Sequence, residues 1–169
     1  RGLGDVYKRQ ALDYAQQHLW ITCFLYGLLR PLDGIVPYRM EHCVTLETTH
    51  DKPVNQFWKD YLTDLLIDSV KADDGVLIQL STEEYEHLFD WKRVCKEVKV
   101  IHPLFYVQQE NAKLKMQAVW AKACRGAMVR FILNNQLATP HELNAFNYEG
   151  FEFAPNWGDK EFPHFVRLQ

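Results

Sequence analysis

Leu25-Tyr-Gly-Leu-Leu-Arg-Pro-Leu-Asp-Gly-Ile-Val-Pro-Tyr-Arg-Met-Glu41 is the stretch on which the reading of this chain turns, because an apolar run passes directly into polar groups whose spacing a packed core does not require. Upstream, Leu19 to Leu29 is apolar at nearly every position except Thr22 and Gly27, which predicts that Ala11 to Leu29 is one helix buried on several sides. It is too short and too interrupted to cross a membrane. Pro31 disfavours the α conformation at Arg30, and Asp33-Gly34 supplies turn chemistry, so Arg30 and Asp33 leave the end of a rigid element in a fixed direction. Pro37 then pins the loop that carries Tyr38, Arg39 and Glu41. Two readings of this loop stand side by side: a site built at a helix end, or an internal Arg30–Asp33 ion pair that only fixes the loop, with Asp33, Tyr38 and Glu41 structuring it.

Beyond the loop, α and β signals interleave and predict an α+β fold, a single domain with a small mixed sheet flanked by helices. Pro53 opens a second helix whose Val54, Phe57, Tyr61, Leu62, Leu65 and Val70 share an apolar face, ending before Asp73-Asp74-Gly75. Gly75 to Leu80 reads as an interior strand, followed by a short helix carrying Glu84, Tyr85 and Phe89. Val98 to Phe105 and Leu114 to Trp120 are strand candidates. Phe105-Tyr-Val107 and Lys113-Leu-Lys-Met116 form a hairpin across the Glu110-Asn-Ala112 turn. Thr139-Pro-His-Glu142 starts a last short helix with an N-cap, a first-turn proline and an acid three residues after the cap.

The helix from Ala118 to Asn135 is the second informative element. Val119, Ala123, Ala127 and Phe131 form one apolar row, while Lys122, Arg125 and Arg130 spread over roughly 140° elsewhere, at 100° per residue. Gly126 lies among these cations; a mid-helix glycine costs about 1 kcal/mol relative to alanine, and close approach of a backbone or ligand would compensate. Lys92 to Arg130 holds nine Lys or Arg against only Glu97 and Glu110. Such a patch neutralises phosphates, with Tyr85, Trp91 and Trp120 as stacking surfaces if they face it; alternatively Lys113 and Lys115 merely solvate a hairpin's outer face. Ser81-Thr-Glu-Glu-Tyr85 follows a predicted strand, where site residues gather in sheets flanked by helices, so Glu84 and Tyr85 are acid/base candidates; the plain alternative is that Ser81 or Thr82 caps the next helix.

With 169 residues, 47% hydrophobic and 14% aromatic, the chain has enough apolar side chain for one packed domain and is not a disordered tail. A net charge of −3 makes any case for nucleic-acid binding local. Cys23, Cys43, Cys95 and Cys124 are scattered, with no CxxC pair, and read as reduced thiols of a cytosolic protein. His42-Cys43, or His87, Asp90 and Cys95, lack the spacing of a structural zinc site, so neither a metal nor a cofactor is expected. Nucleophile motifs, phosphate loops and dinucleotide fingerprints are absent, so no reaction is named by motif.

Tyr26-Gly-Leu-Leu-Arg-Pro-Leu-Asp33 with Pro37-Tyr-Arg-Met-Glu41 resembles the signature of the YaaA peroxide-stress-resistance family. Gln56-Phe-Trp58, Leu80-Ser-Thr-Glu-Glu-Tyr85, Ala121-Lys-Ala-Cys-Arg-Gly-Ala-Met-Val-Arg130 and Phe146-Asn-Tyr-Glu-Gly-Phe151 extend the resemblance in the same order. Family members are longer at the N-terminus, so residues 11–169 are read as the C-terminal portion of a YaaA-like domain. Residues 1–10 are set aside as a non-native leader, since Asp5-Val-Tyr-Lys-Arg-Gln10 is what a common transposon adaptor encodes in one frame. The resemblance implies a cytosolic protein of the hydrogen peroxide response that lowers available intracellular iron and binds DNA through a positively charged cleft, assigned here to Arg30, Arg39, Lys122, Arg125 and Arg130. The alternatives are an enzyme acting on a nucleobase or nucleotide, and an interaction protein that acts through partners.

Overall fold

Gly27 is where the chain departs from its predicted first helix: its φ of 77° lies in the left-handed region, which no interior helical residue adopts. A computed structural model describes residues 3–41, 44–49 and 51–168, with side chains from residue 9 onward. Helix α1 (Leu3–His18) ends early, and β1 (Ile21–Cys23) turns back on β2 (Gly27–Leu29) as an antiparallel hairpin with Cys23 opposite Gly27. The expectation of a helix to Leu29 is therefore wrong. Apolarity at nearly every position does not separate a buried helix from a buried hairpin, and here the β-branched and aromatic residues between Trp20 and Tyr26 take extended and turn conformations. An ideal Cβ on Gly27 would stand 3.1 Å from the Trp58 ring, so close packing adds to the backbone requirement.

Helix α2 (Val54–Ala72) begins after Pro53 as expected. Strand β3 (Val76–Ile78), helix α3 (Trp91–Glu97) and strand β4 (Lys99–Ile101) follow, with a 3-10 turn at Glu83–Leu88. β3 and β4 form a two-stranded ladder, so the strand predicted as interior is short and half-buried. Pro103 separates β4 from β5 (Leu104–Gln108), because proline cannot donate to a ladder. β6 (Leu114–Lys115) pairs antiparallel with β5 in the predicted hairpin, Val107 opposite Lys115. Helix α4 (Ala118–Asn135) takes over where a strand to Trp120 was expected. The predicted turn of helix after Thr139 is the 3-10 segment Pro140–Ala145, with the Glu142 carboxylate accepting from the Thr139 N–H at 2.7 Å. Sequence reasoning left α3 and the last strands, β7 (Asn147–Tyr148), β8 (Phe151–Gly158) and β9 (Pro163–Leu168), unplaced.

The chain packs as two units: Ala15–Leu77 with Ser81–Val100, and Arg1–Tyr14 with Ile78–Leu80 and Ile101–Gln169. In the first, Val54, Leu62, Leu66, Ile67 and Val70 of α2 cluster with Phe24, Leu88, Phe89, Val94 and Val98. The buried face of α2 is rotated from the predicted one, since Tyr61 and Leu65 are exposed at 62% and 46%. Apolar residues ring much of α2, and only its packing partners select which arc is covered. Thr63 completes this unit's polar wiring, accepting from the Asp90 N–H at 2.9 Å while donating to the Lys59 carbonyl at 2.7 Å.

The second unit is built on a five-stranded mixed sheet of order β6-β5-β9-β8-β7, in which β5 and β9 are parallel and every other pair antiparallel. α4 packs on β5. Phe105 sits beside Phe165 in register, and Phe146 closes the aromatic core, its ring centroid 5.5 Å from that of Phe165. The buried row of α4 is Ala121, Cys124 and Met128, whereas Val119 of the predicted row is 82% exposed. No described helix is long and apolar enough to cross a membrane.

Candidate functional site

On α4, burial and the 100° step per residue place Cys124, Met128 and Ala121 together against the sheet. Arg125, Lys122 and Arg130 then occupy an arc of about 140° on the remaining side, with Gly126 and Val119 inside it. Lys122 and Arg130 are exposed, and Arg125 sits half-buried at the edge. Among the described residues none of the three forms an ion pair, whereas Lys52, Lys71 and Arg93 of the other unit each do. There Arg93 reaches Asp64 and Glu97 at 2.7 Å each, and Lys71 reaches Glu97 at 2.6 Å.

Nothing lies within 4 Å of an ideal Cβ at Gly126, so the protein itself makes no close approach there. Gly126→Ala is therefore expected to raise stability by about 0.5–1 kcal/mol, the ordinary glycine-to-alanine gain in an exposed helix interior. A chemical-denaturation midpoint that falls instead would show that Gly126 is needed by the fold.

Arg30, Asp33, Tyr38, Arg39, Glu41, Glu84 and Tyr85 all belong to the first unit, Lys122, Arg125 and Arg130 to the second. Arg30 is built into the end of α1. Its Nη1 donates to the carbonyls of Gln17 at 3.0 Å and Leu19 at 3.2 Å, and its guanidinium carbon stands 3.3 Å from the centroid of the Trp20 ring. Cations at a helix C-terminus are favourable because the last carbonyls lack intrahelical donors. Burial pulls the Arg30 pKa down, opposed by the charge of Asp33. Asp33 accepts from the Arg30 main-chain N–H at 2.7 Å, so this carboxylate closes the turn through the backbone.

Tyr26 and Tyr38 clasp the loop that follows. The Tyr26 hydroxyl accepts from the Val36 N–H at 3.2 Å, and the Tyr38 hydroxyl shares a 2.6 Å hydrogen bond with the buried Cys23 thiol. Burial, then that bond, push the Tyr38 phenol up to about 12, so it is neutral at physiological pH. Glu41 enters through its carbonyl, which accepts from the Val44 N–H at 3.4 Å, and Arg39 is exposed with no ion pair among the described residues. His42 and Cys43 lie outside the described residues. Tyr85 stacks on Phe24 at 4.4 Å, and burial, with Glu84 second, raises its pKa. Glu84 is exposed and accepts from the Thr82 hydroxyl at 3.0 Å; Thr82 stands at the N-cap position without a side-chain cap bond. No group of three or more His, Cys, Asp or Glu able to hold a metal ion occurs among the described residues.

Trp58 has a role that its place in a motif did not reveal: its Nε1 donates to the Phe24 carbonyl at 2.7 Å and holds the tip of the β1–β2 hairpin. The sequence matches the peroxide stress protein YaaA family over residues 4–157. The chain belongs to that family. It is 44% identical to a UPF0246 protein of Bacteroides thetaiotaomicron, covering 93% of this chain and 64% of the relative. A UPF0246 protein of Phocaeicola vulgatus is 47% identical over 89% of this chain and 62% of its own length. A third, from Bacteroides fragilis, is also 47% identical, over 87% and 57%. The chain thus spans about three-fifths of the length of these relatives. In this YaaA-family chain the Tyr26 to Asp33 motif forms the second hairpin strand and the loop clasp, and the Ala121 to Arg130 motif supplies both the buried row and the cationic arc of α4.

Proposed function

We propose that the chain acts in the hydrogen peroxide response by binding DNA through the cationic arc of α4, with Lys122 and Arg130 as principal phosphate contacts and Arg125 at the edge. Membership of the peroxide stress family supports the setting. The observation that carries the mode of action is the arc itself: exposed cations with no acidic partner among the described residues, around a glycine with open space above it. Free lysine and arginine charges release condensed counterions when they meet a phosphate backbone, and Gly126 lets that backbone approach the helix axis. Lowering of available iron is the companion activity, because Fe²⁺ and hydrogen peroxide generate hydroxyl radical, hydroxide and Fe³⁺ beside DNA; its support is the family resemblance.

Anisotropy titration of labelled duplex DNA tests the reading. The slope of log affinity against log salt should fall by about 0.9 for each phosphate contact removed, so Lys122→Ala/Arg130→Ala should lose about 1.8 in slope and weaken binding about tenfold or more at low salt. Gly126→Ala should bind DNA more weakly while folding more stably. Duplex binding that ignores salt, or nucleotide binding without duplex binding, would overturn the proposal.

A further inference from the structure

Arg167 occupies a position that a strand ordinarily gives to an apolar side chain. It pairs in register with Val107, and the alternation of β9 puts it on the same face as Phe165, toward α4. Its stem passes Gly150, where an ideal Cβ would stand 3.7 Å from Arg167 Cγ, and its guanidinium carbon lies 4.7 Å from the centroid of the Trp120 ring. Nη1 is shielded from water and has no hydrogen-bond partner in the structure. Among the described residues Arg167 forms no ion pair either.

A guanidinium cannot escape such a position by losing its proton. The Trp120 ring compensates the charge across its face only, while the N–H groups lie in the guanidinium plane and need acceptors there. Cys124 faces the same charge: burial pushes its thiol up to about 11, and Arg167 opposes that rise. The thiol is therefore protonated at neutral pH and supplies no counter-charge. Arg167 as a whole is half-buried, so the side chain reaches solvent although Nη1 does not. Beside it, Glu149 and Gly150, with φ of 51° and 80°, form the two-residue turn between β7 and β8, and Gly150 presents no side chain toward the guanidinium.

We infer that Arg167, resting on Trp120 at the seam of β9 and α4, is the anchor of a site for a phosphate-type oxyanion. The guanidinium rests on the ring with its Nη1 group unsatisfied, and rotation about its terminal bonds presents the planar fork, which matches two oxygens of a phosphate. This site is separate from the outward arc of α4, so it stands or falls independently of DNA binding by Lys122 and Arg130.

Inorganic phosphate is the probe, titrated into the full chain against chloride at matched ionic strength, with tryptophan emission and calorimetry as readouts. The wild type should give a saturable change in emission as the guanidinium leaves the indole. Arg167→Lys should bind at least tenfold more weakly, and Arg167→Gln should not bind. Trp120→Phe should lose the spectral change yet still bind phosphate by calorimetry, which keeps the test decisive if Arg167→Gln fails to fold. Displacement of phosphate by a nucleoside 5′-monophosphate alone would assign a free nucleotide as its source. Displacement by a 5′-phosphorylated duplex and not its unphosphorylated twin would assign a polynucleotide end. No saturable binding by the wild type, or undiminished binding by Arg167→Lys, overturns the inference.

Discussion

Phe165→Ala is expected to lower the unfolding free energy by about 3–5 kcal/mol, the range for deleting a buried aromatic ring from a core. Phe165 is fully buried on the central strand of the five-stranded sheet. Its ring centroid lies 5.5 Å from those of Phe105 and Phe146 and 5.9 Å from that of Phe153, so truncation removes contacts with two strands and the segment that precedes β7 together. β9 is held by β5 on one side and β8 on the other, which prevents the backbone from collapsing into the vacated space. For an ordinary urea dependence, the midpoint should fall by about 2 M with little change in slope. A shift below about 0.5 M would mean that this cluster does not limit stability.

Gly158→Ala should destabilise by a comparable amount, about 4 kcal/mol, at the far end of what single substitutions do. Gly158 has a φ of 70°, and its ideal Cβ would overlap the Phe162 carbonyl oxygen and stand 2.7 Å from His164 Cδ2. The carbonyl cannot retreat easily, because it also accepts from the Asp159 N–H at 3.2 Å. Asp159 Oδ1 accepts from the Glu161 and Phe162 N–H groups at 2.8 Å each, tightening the same turn. His164 is packed against Tyr106, ring centroids 4.9 Å apart, which limits how far its ring can yield. The same substitution at Gly126 should act in the opposite direction. Measured side by side by denaturation, the two variants separate backbone strain from intrinsic helix preference; a mild effect at Gly158 would show that the turn relaxes at low cost.

The proposed DNA contacts were open to sequence reasoning because they depend on helical periodicity alone: once Ala118 to Asn135 is a helix, Lys122, Arg125 and Arg130 must share an arc. Their freedom from acidic partners was not, since that depends on which carboxylates fold nearby. Arg30 illustrates the reverse. Its place after an apolar run marked it as unusual, yet its partners are carbonyls at the end of a helix that stops eleven residues before the predicted boundary, at His18 and not Leu29. Arg167 carried no signal, for one arginine in an alternating strand looks solvent-facing until its neighbours are known.

What the sequence by itself determined is the local chemistry and the family: Pro53 and Thr139 starting helical segments, the Glu110 to Ala112 turn, the α+β class, and motifs that place the chain among the YaaA proteins. Only the tertiary structure decided that Trp20 to Leu29 is a hairpin, which arc of α2 and α4 is covered, and that β9 lies parallel to β5 roughly sixty residues upstream. The physical reason is range. Proline, glycine and capping side chains act on their own backbone within a few residues, whereas the choice among several apolar faces belongs to whichever distant surfaces pack against them.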